Sequence, residues 1–208
     1  MQPDFLFVLA IVIMSVIIHE LSHGYMAAYL GDRTAEYAGR LTLNPVHHID
    51  PVGSVIVPVV MYLSTGLVFG WAKPVPYNPM NLRNPRIGTV LVAISGAASN
   101  FLIALIFGIV IRTGVAESVS PAFLEISALI VAINLVLGVF NLIPVPPLDG
   151  SKVLFALLPF GFRHVQNVLE RYWIVLIVLL ILFGGSIIFP ILNASFSLFT
   201  GMPLAEIF

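Results

Sequence analysis

The chain has 208 residues, of which 59% are hydrophobic and only 9% charged, with a formal net charge of -1. Soluble domains carry about a quarter charged residues, so a water-exposed fold is excluded, and the apolar blocks approach the roughly 20 residues that cross a bilayer as a helix. The absence of any basic block excludes a nucleic-acid partner, and the absence of cysteine excludes disulfides and thiolate ligands, leaving His, Asp and Glu for any metal site.

Met1-Gln2-Pro3-Asp4 has no basic region, and the apolar stretch behind it is too long for a removable signal peptide, so the first helix is expected to stay. Phe5 to Leu30 reads as the first span; His19, Glu20, Ser22 and His23 interrupt its final third, and Gly31-Asp32 ends it. The polar stretch from Asp32 to Pro51 contains Gly39 to Pro45, a short extended piece closing in a turn. Val52 to Phe69 is apolar but carries Gly53, Pro58 and Ser64-Thr65-Gly66, which make it a poor continuous helix. Gly70 to Pro79 holds three prolines and is expected to be extended or looped. Ile87 to Ile111 and Phe123 to Asn141 are clear spans, and the second runs into Leu142-Ile143-Pro144-Val145-Pro146-Pro147-Leu148-Asp149-Gly150. An amphipathic stretch with Lys152, Arg163, His164 and Arg171 precedes a last span, Trp173 to Phe189, and an ambiguous tail from Ile191 to Phe208.

His19-Glu20-Leu21-Ser22-His23 matches H-E-x-x-H. Residues four apart share a helix face, so both imidazoles can grip one metal. Glu20 is displaced around the helix by about 100 degrees, too far to join them easily but near enough to take a proton from a water on the metal. Such a helix deep in an apolar segment marks a functional site, because ionisable residues are rare there. Catalytic zinc keeps three protein ligands and an open position. The best third ligand is Asp149, because prolines 144, 146 and 147 stop the preceding span where a carboxylate appears, and irregular backbone at membrane depth must line a cavity or be buried in protein. Asp4, Asp32, Asp50, Glu117, Glu125 and Glu170 are weaker candidates at span ends or in polar loops. His47 and His48 beside Asp50 are read as turn and capping residues, since neighbours on an extended segment face opposite ways; His164 is assigned no chemistry.

These residues resemble the site-2 protease family of intramembrane metalloproteases. The likeness rests on His19-Glu20-Leu21-Ser22-His23 in an early membrane helix and on Asn141 to Gly150, which looks like that family's N-x-x-P-x-x-x-L-D-G signature; it spans about Ile18 to Ser151. The resemblance implies one zinc ion per chain bound by His19, His23 and Asp149, Glu20 as general base, and Asn141 holding the substrate backbone or the reaction oxyanion. Gly96-Ala97-Ala98-Ser99-Asn100 is similar to the family's G-P-x-x-N segment, with Ala97 in place of proline, which bears on helix shape rather than chemistry. Asn100 is open to two readings, a functional role or a helix-packing hydrogen bond. The resemblance further implies a minimal form without a PDZ-like or CBS-like domain. The whole chain, 1–208, is read as a single membrane-embedded metalloprotease domain with a core over 5–151 and C-terminal membrane segments over 173–208.

The metal site requires the ends of the first and Asn141 helices to meet at one depth, so Val52 to Pro79 must go into the membrane and come back. Arg33, Arg40, Arg83, Arg86, Lys152, Arg163 and Arg171 then share one side, and Arg112 lies on the other. The positive-inside rule makes the crowded side, and the active site, cytoplasmic. The fold expected is an all-α polytopic membrane protein of about five to six transmembrane segments, with a re-entrant hairpin or extended strand between the His19 helix and the next span. Trp71, Val75 and Tyr77 in that strand are candidates for pairing with an unwound substrate. The expected partners are a membrane-spanning protein or peptide substrate and the lipid bilayer of a prokaryotic plasma membrane. The rival readings are a metal-ion transporter, against which the lack of repeated halves counts, and an inactive membrane scaffold, which has no need of Glu20.

Overall fold

The computed structural model describes residues 5–57, 59–60, 63, 71–159 and 163–206. Its helices are α1 (Phe5–Tyr29), α2 (Thr34–Tyr37), α3 (Pro85–Arg112), α4 (Val115–Val119), α5 (Pro121–Asn141), α6 (Asp149–Leu157), α7 (Arg163–Arg171), α8 (Trp173–Phe183) and α9 (Gly185–Thr200). No β-strand occurs among the described residues. The long helices start where local chemistry dictates. The Asn84 side chain accepts from the Ile87 N–H with Pro85 at the first position of α3, and Ser120 caps Phe123 with Pro121 opening α5.

Three helices among the described residues, α1, α3 and α5, are long and apolar enough to cross a membrane, and a fourth span exists if α7 and α8, bent by 69°, count as one. The single span read from Trp173 to Phe189 is instead divided at Gly184, and the ambiguous tail belongs to α9 as far as Thr200. In the polar stretch after α1, the short α2 precedes Gly39 to Pro45, the piece expected to be extended and to close in a turn, and a 3-10 turn at Pro45–His48 closes it.

Helix α3 is the hub. Its buried face is built of small residues, Gly88, Ala93, Gly96, Ala97, Ala104 and Gly108, which let α1 and α5 approach closely. Asn100 on α3 bonds His19 of α1 and Asn134 of α5, so the three helices are in register at one depth. The Arg83 N–H donates to the Leu30 carbonyl, and the Arg86 guanidinium to the carbonyls of Ala156 and Leu157. The start of α3 therefore lies beside the ends of α1 and α6, so α1 and α5 run the same way and α3 runs against them. At the other end Ala104, Ile111, Ala128, Val131, Leu135 and Phe196 form an apolar core that draws in α9.

The chain leaves and returns between α1 and α3 at one level. Trp71 N–H donates to the Gly53 carbonyl at 3.0 Å and Lys73 N–H to the His48 carbonyl at 2.9 Å. A full crossing between residues 53 and 71 would hold those groups a membrane apart. Pro58, Ser64, Thr65, Gly66 and Gly70, on which the expectation of a re-entrant element partly rested, lie outside the described residues, as do Met1 to Asp4. Residues 71–78 form no ladder, because Pro74 and Pro76 have no N–H to contribute.

Candidate metal centre

His19 and His23 lie one turn apart on the buried face of α1, with Nε2 atoms 3.0 Å apart. Asp149 opens α6, and its Oδ2 lies 3.1 Å from His19 Nε2 and 2.9 Å from His23 Nε2. These three residues are the one group of three or more possible metal ligands among the described residues, their ligand atoms all lying within 4.8 Å of one another. Two glycines make the meeting possible. A Cβ on Gly96 would stand 2.6 Å from both imidazole rings, so α3 passes close behind them only because it has no side chain there. A Cβ on Gly150 would collide with the carbonyl of Leu142, so the loop leaving α5 can fold over the start of α6 only with glycine after the aspartate.

The outer nitrogens decide what faces inward. His23 Nδ1 lies 2.6 Å from the Val92 carbonyl, which only accepts, so this nitrogen carries the hydrogen. His19 Nδ1 lies 2.7 Å from Asn100 Oδ1 and donates to it likewise. Each neutral ring then presents its Nε2 lone pair to the other and to the Asp149 carboxylate, and three electron-pair donors at hydrogen-bonding distance with no proton among them repel one another. A cation between them resolves the conflict. Two imidazoles and one carboxylate are a ligand set of catalytic zinc, so the residues fit the metal that the sequence pattern implies.

The second oxygen of Asp149 is also taken. Lys152, one turn along α6, places Nζ 2.9 Å from Oδ1. Burial alone would push the lysine pKa down, but Asp149, with Tyr77 and Glu20 beyond it, outweighs that and holds it above its ordinary value. The ammonium leaves Oδ2 alone to face the imidazoles, an outer contact of the kind that orients metal ligands.

Glu20 is outside the ligand group, as its position on the helix requires. Its Oε2 accepts the backbone N–H of Val75 at 2.7 Å. Residues 71–78 thus lie along the metal centre on the Glu20 side, anchored by Arg40, which donates to the Lys73 carbonyl at 2.7 Å, and by Asp32. Asp32 is wholly buried and accepts from the Thr34 backbone and hydroxyl, the Asn78 N–H and the Asn81 amide. Burial pushes its carboxyl up, but these donors together hold it below its usual range.

Of the remaining candidates, Val75 is buried beside Gly24 and Tyr77 packs against Ala27, Leu82 and Val92. The Trp71 ring covers Gly53. Asn141 bonds its own helix, Nδ2 to the Leu137 carbonyl at 3.0 Å, and among the described residues makes no hydrogen bond to the three ligands. His48 is a loop residue, bonded through Nε2 to the Thr42 carbonyl, and Asp50 caps Val52 and Gly53. Asn100 makes the helix-packing hydrogen bond, to Asn134, and with its other end reaches the candidate ligand His19. Sequence reasoning passed over Gly96 as a space-maker, Lys152 and Asn134. The signal for Asn134 was present: an amide in the middle of an apolar span is expensive unless it has work to do.

The profile of peptidase family M50 matches residues 109–184, which include the Asn141 to Gly150 segment. YwhC of Bacillus subtilis, provisionally named a zinc metalloprotease, is 39% identical over 192 residues, covering 88% of this chain and 84% of its own. Rip2 of Mycolicibacterium smegmatis, with the same provisional name, is 32% identical over 162 residues, 72% of this chain and 56% of its own. A protein of Thermotoga maritima so named is 30% identical over 130 residues, 56% of this chain and 26% of its own. No solved structure matches the chain significantly. A relative that similar over most of both chains, together with the matched profile, shows that this membrane protein belongs to peptidase family M50, as its two motifs led one to expect of a site-2 protease.

Proposed function

We propose that the protein is an intramembrane endopeptidase that hydrolyses peptide bonds of membrane-spanning substrates with one zinc ion held by His19, His23 and Asp149. The observation that carries this reading is the convergence of three lone-pair donors at the depth of the spanning helices, with Glu20 on the adjacent helix position. Zinc bound there supplies Lewis acidity, which activates water and polarises the scissile carbonyl. Glu20 takes the proton of the attacking water and returns it to the leaving amine. The N–H of Val75 holds one Glu20 oxygen, so the other is the one directed to this work. Lys152 occupies Oδ1 of Asp149, so Oδ2 is the oxygen that Asp149 would offer to a metal.

Residues 71–78 receive the substrate. Trp71 and Lys73 spend their N–H groups on the loop from His48 to Gly53, and the carbonyls of Pro74 and Pro76 on the other edge have no partner among the described residues. A substrate segment must unwind to expose its amides before it can be cut, and those carbonyls accept them by strand addition. Trp71, Val75 and Tyr77 belong to this receiving segment, and Asn141 holds the substrate backbone or the reaction oxyanion. The concentration of Arg and Lys at the metal end supports a site toward the cytoplasmic face of a prokaryotic plasma membrane.

The test is to purify the protein in detergent, measure its zinc, and follow cleavage of a single-span substrate by the wild type, Glu20→Gln and Asp149→Ala. Near one zinc per chain, with Glu20→Gln metal-loaded but inactive and Asp149→Ala metal-poor, is the expected result. Wild type and Glu20→Gln that behave alike on every substrate would overturn the peptidase mechanism and favour a transporter or scaffold.

A further inference from the structure

His19 and His23 are held in the same orientation by very different means. His23 uses a backbone carbonyl, which cannot turn round. His19 uses Asn100, whose amide can flip and offer either an acceptor or a donor. Behind Asn100 stands a buried line of side chains from three helices. Asn100 Nδ2 donates to Asn134 Oδ1 at 2.8 Å and, at the longer distance of 3.5 Å, to the Ser15 carbonyl, while Asn134 Nδ2 donates to both Ser15 Oγ, at 3.0 Å, and the Ile130 carbonyl, at 2.9 Å. Ser15, Asn100 and Asn134 are all buried, Asn100 and Asn134 completely.

We propose that Asn134, anchored by Ile130 and Ser15, is a positioning residue that sets the polarity of this line and thereby holds His19 with its hydrogen on Nδ1 and its Nε2 lone pair toward the metal position. The polarity follows from the fixed end. The Ile130 carbonyl only accepts, so the Asn134 nitrogen must face it and the Asn134 oxygen must face Asn100. That oxygen claims the Asn100 amide nitrogen, which leaves Asn100 Oδ1 for His19. An acceptor there requires a hydrogen on His19 Nδ1, and a neutral imidazole has only one. Were Asn100 reversed, the hydrogen would move to Nε2 and point into the space shared with His23 and Asp149. Amides at membrane depth are costly, and a fully satisfied line of them specifies one arrangement. The inference rests on the proposed metal site, since it concerns how one ligand of that site is presented.

Zinc affinity by chelator competition, in Asn134→Leu and Asn134→Asp, separates positioning from packing. Leucine removes the nearer of the two acceptors that orient Asn100 and leaves it only the long contact to the Ser15 carbonyl, whereas aspartate keeps an oxygen at the near position. Asn134→Leu should weaken zinc binding by about 10- to 100-fold, the usual loss when a partner behind a metal ligand is removed, and Asn134→Asp should retain most of the affinity. A packing role gives the reverse order, because leucine suits the interior of an apolar span and a carboxylate does not. Nitrogen-15 NMR of the metal-free wild type, with His19 assigned by difference against His19→Phe, should show the hydrogen on Nδ1, and this measurement decides alone if Asn134→Leu does not fold. Undiminished affinity in Asn134→Leu, the reverse order, or a hydrogen on Nε2 overturns the inference while leaving the metal site standing. A wild type that takes up no zinc removes both.

Discussion

At the scale of single residues, the centre depends as much on what is missing as on what is present. The His19 and His23 rings occupy the space that a side chain at position 96 would fill. Overpacking of this kind costs about 1–3 kcal/mol, and here the strain falls on the rings themselves. Gly96→Ala is therefore expected to weaken zinc binding roughly 5- to 150-fold, the equivalent of that cost at 1.4 kcal/mol per factor of ten, with the fold retained. Chelator competition on the purified variant, beside its thermal unfolding, checks this; unchanged affinity would mean that the rings tolerate displacement. Histidine and glutamate in the H-E-x-x-H pattern were readable one by one, because their chemistry is local to one helix. Gly96 was not, since a glycine in an apolar span says nothing about which ring it makes room for.

Among elements, the segment from 71 to 78 has the largest consequence per residue. It carries no regular structure, yet its backbone touches Glu20, and Asp32 and Arg40 pin its two ends. A hydrogen bond to a charged group contributes about 1.5–3 kcal/mol, so removing the Val75 donor should slow cleavage of a long substrate by roughly 10- to 100-fold. Val75→Pro deletes that N–H without touching a metal ligand. The expected outcome is zinc content like that of the wild type with a lowered rate; equal loss of zinc and rate would sink the assignment of the segment to substrate and base. The prolines made an extended course legible beforehand. The bond to Glu20 was not, because it joins residues 55 positions apart.

For the molecule as a whole, the contacts fix relative helix directions, and charge supplies the side. Arg33 follows α1 and Arg171 ends α7, whose Gln166 and Glu170 line a cleft with Pro85 and Arg86 at the start of α3. Thr113 ends the same helix at its far side. The chain has no cysteine of its own, so Arg33→Cys, Arg171→Cys and Thr113→Cys each report one position. An impermeant thiol reagent added to intact cells should label Thr113→Cys alone. Labelling of the other two instead would invert the orientation, and labelling of only one of them would break the shared side.

The sequence by itself determined the solvent, the long spans, the His-Glu-His helix and Asp149 as its remote partner. Each of these follows from composition, from the period of a helix or from the cost of charge and irregular backbone in a bilayer. Tertiary structure alone decided that His23 leans on the Val92 carbonyl, that Val75 donates to Glu20, and that Asn100 and Asn134 stand behind His19. The reason is physical: hydrogen-bond partners are chosen by proximity in space, and helices that cross a membrane bring together residues 34 to 130 positions apart, a distance over which local pattern carries no information.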